Sequence, residues 1–581
     1  MRRCRRTPLP LASRFMSSPS ELPQRAYERP GGAPLGLRSL VEGLVCLAIA
    51  VIVFRAFQVE GYMISTGSMA PSLLGFHKQV RCPTCGTRFE YGVAYDESVA
   101  QSDASDDGRS RFELADGERQ LTVCPNCGQS GIDITRVPRN QGDQLLVHKP
   151  AYLFERPHRW EIIVFRNPAQ PTEAYVKRVA GLPGEAVQVI DGDLYANDAI
   201  CRKDLATQRA MRIPVYDYDR RPRTDPDWQP RWRPTSGWQT VGPSFTLGPA
   251  ALNEHGRDHW HWIEYHHWIR AGGRHETSVL LPVPSEDIQL PSDAFLQVQY
   301  HPDTRRLSRK GVLPDVWKEK LLAAADEPDY RRAIQRLADE SHFAPITDEY
   351  GYNHAAPGVT PVVVRDLMLE AEVTIERGRG ELAVEMTDGK SHFRAGLDLS
   401  RRLAWLDING QEVPVARRPL PADLVGRPII VEMSIFDRQI LLAVDGQLAF
   451  DPWPLTPADL VTHDALAPEL TRRKPVRIGA RGLEAHIAGL RLYRDVHYTR
   501  GRARNGVDTP CQLGPHEYFV LGDNSPVSSD SRNWIEGTVP ESLLLGKPFL
   551  VHLPSKPGQL RIGRTTRHVR IPDISRIRYI R

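Results

Sequence analysis

Hydrophobic and polar positions alternate most cleanly between residues 366 and 376, where Leu367, Leu369, Ala371, Val373 and Ile375 interleave with Asp366, Glu370, Glu372, Thr374 and Glu376. A period of two places successive side chains on opposite faces of a strand, one apolar and one solvated. Comparable runs follow at Glu381–Met386, Phe393–Leu399, Leu403–Ile408, Ile429–Phe436, Ile440–Val444 and Ile487–Tyr493, punctuated by Asp388-Gly389, Asn409-Gly410 and Asp445-Gly446. Those dipeptides suit tight hairpins, because glycine accepts the positive φ such turns require. Regular short strands of this number predict a two-sheet β-sandwich over 358–498.

A second β pattern lies nearer the N-terminus, in Asp143–Val147, Trp160–Phe165, Ala174–Val179 and Ala186–Ile190, bounded by glycine and proline turns. The residues from 201 to 357 are mixed. Helical spacing appears at Trp317–Ala325 and Tyr330–Ala338, while His255–Trp268 is dense in histidine and tryptophan. Histidines in such numbers raise the question of metal, but their spacing matches no metal-site type. Trp260 and Trp262 alternating with His259 and His261 predict instead a strand with one aromatic face.

One apolar run stands apart. From Leu40 to Phe57 it includes the uncharged stretch Gly43–Phe54, bounded by Glu42 and Arg55. That stretch is shorter than the roughly 20 residues that span a bilayer. Extended by Leu37–Leu40 and by snorkelling ends, it predicts an uncleaved transmembrane anchor over 39–57, with the arginine-rich tail 1–38 on the cytoplasmic side and the bulk of the chain exported. The alternative, a cleaved secretory signal, has small residues available at Ala48 and Ala50, but these lie inside the apolar run rather than after it.

At 581 residues with a net charge of +4, the chain has room for several domains and carries no excess that would suggest nucleic-acid binding. Its eight cysteines change the picture more. Cys82-Pro-Thr-Cys85-Gly and Cys124-Pro-Asn-Cys127-Gly form two knuckles with the spacing of a four-thiolate zinc site. Four protein ligands leave no open position for water, so the metal's role would be structural. Knuckle disulfides are the competing reading if the segment is exported to an oxidising space. The C-terminal 556–581, rich in arginine, reads as a basic, solvated extension that could touch anionic lipid.

Candidate chemistry concentrates at Ser68 and Lys177. Ser68 follows the short strand Gln58–Ile64 in a turn before Pro71, with no histidine or acid nearby to activate it. Lys177 sits within a β-run beside Val176 and Val179; desolvated by such neighbours and near a cation, a lysine becomes a neutral base. Four motifs in order then complete a resemblance. Ser68-Met-Ala-Pro-Ser-Leu73, Gly142-Asp-Gln-Leu-Leu-Val147, Tyr175-Val-Lys-Arg-Val-Ala-Gly-Leu-Pro-Gly-Glu185 and Gly522-Asp-Asn-Ser-Pro-Val-Ser-Ser-Asp-Ser-Arg532 resemble those of the type I signal (leader) peptidases, membrane-anchored serine proteases.

The resemblance implies a mainly β catalytic core in pieces, 58–75, 141–200 and 499–555, interrupted by a zinc-ribbon-like insertion at 76–140 and a larger one holding the mixed region 201–357 and the sandwich 358–498. It implies Ser68 as nucleophile and Lys177 as general base, with no catalytic cofactor. The Ser68 amide and the Thr66 hydroxyl would hold the oxyanion, Ser528 would hydrogen-bond and orient the lysine, and Asp523, Asp530, Arg178 and Arg532 would support the network. Substrates would be exported preproteins with small side chains at the first and third positions before the cut, at the inner membrane. Two departures stand out: Ser72 replaces the family's usual threonine, and Ser525-Pro526-Val527 its usual Arg-Asp-Asn. Cys201 and Cys511 flank the larger insertion, and a disulfide between them is expected where its two ends return together.

The sandwich itself resembles the concanavalin-like jelly rolls, which host carbohydrate binding, protein binding and inert spacers alike. That leaves a binding alternative, in which a membrane-tethered protein acts through its jelly roll and the peptidase core is vestigial; a damaged dyad would mark it, and the dyad residues are present. Self-cleaving repressors of the LexA type share a Ser/Lys pair but carry a DNA-binding domain, of which there is no sign.

Overall fold

The computed structural model describes residues 37–93, 119–256, 258–270, 276–281, 298–325, 327–353, 361–416, 418–421, 423–456, 474–500, 503–552, 554–562 and 565–580. All but the last two residues of the basic segment 1–38 therefore lie outside the described residues. Leu37–Phe57 is a helix of 21 residues, treated separately from the body that begins at Gln58. Among the described residues no helix is long and apolar enough to cross a membrane, which corrects the transmembrane anchor expected over 39–57. The charges explain why. Arg38, paired with Glu42 at 2.7 Å, and Arg55 confine the uncharged stretch to Gly43–Phe54, roughly 18 Å of helix against a hydrocarbon core of about 30 Å.

An eight-stranded antiparallel sheet carries the motifs. Its order is Val59–Met63, Gln144–His148, Leu544–Val551, Ile162–Arg166, Ala174–Gly181, Glu517–Leu521 and Val539–Pro540, with Arg578–Tyr579 added beside Leu544–Val551. Strands from four separated stretches of chain thus meet in one sheet. Their apolar residues close small cores on its two faces: Ile64, Met69, Leu73, Leu145 and Val164 on one, Ile163, Phe165, Val179, Tyr518 and Val520 on the other.

The C-terminal segment is not the solvated extension its composition suggested. It forms the hairpin Ser555–Ile562/Thr565–Pro572 and then returns to the sheet. Arg576 and Arg578 reach the fully buried Asp143 carboxylate at 2.6 and 3.1 Å. A buried carboxylate requires such cations; a run of arginines does not reveal that its partner lies more than four hundred residues earlier.

The larger insertion leaves and re-enters through a four-stranded sheet in the order Ala199–Ile200, Asp193–Ala196, Ala186–Ile190, Cys511–Gln512. Its ends return together as expected, yet two strands separate Cys201 from Cys511 and both thiols are free. The expected disulfide is absent because the cysteines attach to opposite edges of that sheet.

Two very long strands, Leu367–Thr387 and Val476–Arg494, form the spine of the sandwich and pair along their length. The alternations at 366–376 and 381–386 belong to one strand, bent by register shifts near Glu370, Ile375 and Gly378. The sheet extends beyond 358–498: Ile213–Asp217, Ser244–Leu247 and His261–Tyr265 all pair with Val476–Arg494. Strands from before residue 266 therefore share a sheet with the sandwich. The two predicted helices occur, as Asp315–Ala323 and Pro328–Glu340, packed on a small three-stranded sheet with its own apolar cluster.

Candidate active site and metal centre

The serine turn hangs between the strand Val59–Met63 and the strand Gln144–His148. Ile64 N donates to Asp143 O at 2.9 Å, and Leu73 N to Met69 O at 2.8 Å. Met69, Ala70 and Leu73 are buried, so the turn is anchored by its apolar residues while Ser68 stays half-buried. Asp143 pins the far end by accepting Leu74 N at 3.0 Å, and Arg578 donates to Ser72 O at 2.5 Å. Sequence reasoning passed over Asp143, Arg576 and Arg578 as site residues. Asp143 lay inside a quoted motif, but nothing local pointed to its arginines.

Lys177 lies opposite Ile163 in the sheet and is 4% exposed. Its Nζ donates to Ser68 Oγ at 2.6 Å, bringing together residues 109 positions apart. Burial pushes its pKa down from 10.5 to about 8; Asp530 and Asp523 oppose that shift and Arg532 reinforces it. Each nearby carboxylate already has a cation. Arg178 grips Asp523 with two bonds of 2.7 and 2.6 Å and donates to Trp160 O at 2.6 Å. Arg532 grips Asp530 at 2.9 and 2.8 Å. Burial opposes ionisation of Asp530, but the Arg532 guanidinium outweighs it and holds the carboxyl below the usual carboxylate range.

Thr66 is exposed, with Oγ1 3.4 Å from Ser68 Oγ. Ser528 departs from expectation. It is buried and close to the Asp530 carboxylate, but makes no hydrogen bond to Lys177. Gly522 explains its setting: a Cβ there would lie 2.2 Å from Ser528 Oγ and 2.5 Å from Ser68 O, so the closing motif can approach the serine turn only as glycine. In the replaced stretch, Ser525–Val527 forms a 3-10 turn, and Ser525 Oγ accepts from Arg532 Nη1 at 2.8 Å. Behind this loop stands the Asp530–Arg532 ion pair. Asn524, also unremarked in the sequence, donates its backbone N to Ser68 O at 3.0 Å and its Nδ2 to Gly67 O at 2.9 Å.

Cys82, Cys85, Cys124 and Cys127 gather with all four sulfurs within 4.8 Å of one another. Cys82 and Cys127 sulfurs lie 3.6 Å apart, those of Cys85 and Cys124 3.7 Å. A tetrahedron with metal–sulfur bonds of about 2.3 Å has edges of about 3.8 Å, so the donor set fits a four-thiolate ion and leaves no open ligand position. The cysteines are free thiols rather than disulfides, and backbone amides Gly86 N and Gly128 N close each knuckle on Cys82 O and Cys124 O. The histidine-rich stretch joins no such group among the described residues. Trp260 and Trp262 stack at 4.9 Å, with Arg481 and Arg477 over their faces, so that strand does present an aromatic face.

Comparison with known proteins bears on the catalytic segments. The family model described as signal peptidase, peptidase S26, matches residues 138–237 and 484–553. Signal peptidase I of Rickettsia bellii (strain OSU 85-389) is 50% identical over 158 residues, covering 27% of this chain and 38% of the relative. Signal peptidase I V of Bacillus subtilis (strain 168) is 40% identical over 57 residues, covering 10% and 33%. The chain thus spans a third to two fifths of the length of these relatives. Among solved structures, a carbohydrate binding module from Bacillus subtilis aligns with 22% of the chain and 73% of its own at 18% identity and a TM-score of 0.16. A galectin from Caenorhabditis elegans aligns with 22% and 81% at 10% identity and 0.16. Scores this low carry no argument about the sandwich.

Proposed function

We propose that this chain, which belongs to the signal peptidase family through residues 138–237 and 484–553, is a serine endopeptidase that removes N-terminal signal peptides from exported preproteins by a Ser68/Lys177 dyad. The carrying observation is the 2.6 Å contact between Lys177 Nζ and Ser68 Oγ with the lysine fully buried. A neutral amine at that distance takes the Ser68 proton as Oγ attacks the scissile carbonyl. The new oxyanion is held by the Ser68 N–H and the Thr66 hydroxyl. Collapse of the tetrahedral intermediate expels the leaving amine, which receives the proton from Lys177, and leaves an acyl ester on Ser68. Lys177 then deprotonates the water that releases the acyl group.

The substrate has an edge to lie along. Glu517–Leu521 pairs with the lysine strand only from Arg178 to Gly181, so residues 174–177 offer open backbone groups to an extended peptide. Half-buried Tyr62 and Val176, packed on the buried Ile64, Met69 and Leu73, offer an apolar wall to small side chains. Asp523, Asp530, Arg178 and Arg532 position the loops and neutralise each other. A structural Zn²⁺ on the four cysteines holds the ribbon-like insertion, outside the chemistry. Lipid contact fits the exposed Leu44, Leu47, Ile49 and Ile52 of the helix Leu37–Phe57, which serves the same reading by keeping the enzyme near emerging preproteins. The test is cleavage of a preprotein carrying small residues at the first and third positions before the cut. Wild type is expected to cleave it, and Lys177→Ala to lose on the order of 10⁴-fold in kcat; equal turnover by the two would refute the dyad.

A further inference from the structure

The larger insertion sends one short segment, residues 350–353, into the serine site. The Tyr352 ring is buried against Ala70 and Leu74, on the two sides of Pro71. It also fills the space that a side chain at residue 67 would take: a Cβ on Gly67 would lie 2.2 Å from Tyr352 Cε1, and one on Gly92 2.3 Å from the same atom. The residue is fixed at its phenol and at its backbone, since Tyr352 Oη donates to Phe76 O at 3.0 Å and Gly92 N donates to the Tyr352 backbone carbonyl at 2.9 Å. Beside it, Asn353 and Asn524 exchange two side-chain hydrogen bonds of 2.7 Å. Asn524 in turn holds Gly67 O and Ser68 O. Gly67, Ser68 and Ala70 are therefore held by groups that the insertion supplies or orients.

We infer that the insertion is part of the catalytic centre, with Tyr352 and Asn353 as positioning residues that keep Ser68 Oγ within reach of Lys177 Nζ. The inference rests on the endopeptidase reading of that site. Neither residue touches the reacting atoms. Gly67 has no side chain of its own to brace the turn, so the tyrosine ring fills that space and, with Asn524, keeps residues 67–70 from relaxing away from the lysine. A displacement of about 1 Å between reacting groups costs on the order of 100-fold in rate.

The experiment uses the full chain and the same preprotein, with kcat and KM measured separately for wild type, Tyr352→Ala, Tyr352→Phe and Asn353→Ala. Tyr352→Ala is expected to lose on the order of 100-fold in kcat with KM little changed, and Asn353→Ala about tenfold. Tyr352→Phe, which keeps the ring and loses only the bond to Phe76 O, stays within about threefold of wild type in kcat. Wild-type kcat in Tyr352→Ala and Asn353→Ala would overturn the inference while leaving the peptidase reading intact. So would a loss carried by KM, or one shared equally by Tyr352→Phe. An inactive wild type would instead overturn the peptidase reading, and this inference with it.

Discussion

Lys177 and Lys203 are buried to nearly the same degree, 4% and 2% exposed, and burial alone pushes both toward the neutral amine. Their surroundings send them opposite ways. Lys203 donates to Asp437 at 2.5 Å and to Asp495 at 2.8 Å, and lies 4.7 Å above the Trp160 ring. Burial lowers its pKa, but the two carboxylates more than reverse that and raise it well above the ordinary lysine value. Among the described residues Lys177 has no carboxylate in direct contact. Asp523 and Asp530 are each held bidentately by an arginine, and the lysine's hydrogen-bond partner is the Ser68 hydroxyl. A buried lysine becomes a base only when the nearby acids have cations of their own; otherwise it becomes a fixed charge that joins elements, here Lys203 from one side and Asp437 and Asp495 of the sandwich from the other.

The largest effect on stability should come from breaking the fixed charge. Lys203→Met leaves Asp437 and Asp495 buried without their cation and is expected to cost about 3–5 kcal/mol, read as a lowered denaturant midpoint at unchanged slope. A cost below about 1 kcal/mol would mean that the two lysines are not so different. The opposite sign is expected at Lys177. Its pKa falls from 10.5 in the unfolded chain to about 8 in the fold, so the stability linked to it is present above 10.5 and is lost as pH falls through 8. Below pH 8 the fold carries a penalised charge. Lys177→Met should therefore stabilise the protein by up to about 3 kcal/mol at pH 7, with the gain fading as pH rises toward 10.5. Denaturant unfolding at pH 7 and pH 10 checks both sign and slope. Smaller again, Thr66→Val is expected to lower kcat by about 100-fold with little change in KM, and to leave the pH dependence in place because the base is untouched. A shifted pH profile would mean that Thr66 acts through the lysine.

Much of this contrast was hidden in the sequence, for reasons tied to particular residues. Ser68 and Lys177 were legible because each sits in a short motif shared with a family, and the closing motif named Asp523, Asp530 and Arg532 together. The sandwich was legible from alternation alone at Leu367–Ile375, since a half-buried sheet imposes period two along each strand. The strands Ile213–Asp217 and Ser244–Leu247 were missed because they are short and interrupted, and they owe their pairing to Val476–Arg494 more than two hundred residues later. Lys203 and Tyr352 carried no local signal. A lysine in a polar stretch and a tyrosine beside Gly351 acquire meaning only from partners such as Asp495, 292 residues away, or Phe76, 276 away. The apolar run at 43–54 did form a helix, but the charges around it limited what its length could mean.

The central claim is that Lys177, alone of these two lysines, gives up its proton near pH 8 rather than above 10 and as the neutral amine acts as the base for Ser68. Its most direct test is the pH dependence of kcat/KM for preprotein cleavage by the wild-type chain. The account predicts a rise with increasing pH through an inflection near 8, the value to which burial lowers Lys177. A profile flat from pH 6 to 9, or one that inflects only near the ordinary lysine value of about 10.4, would contradict it.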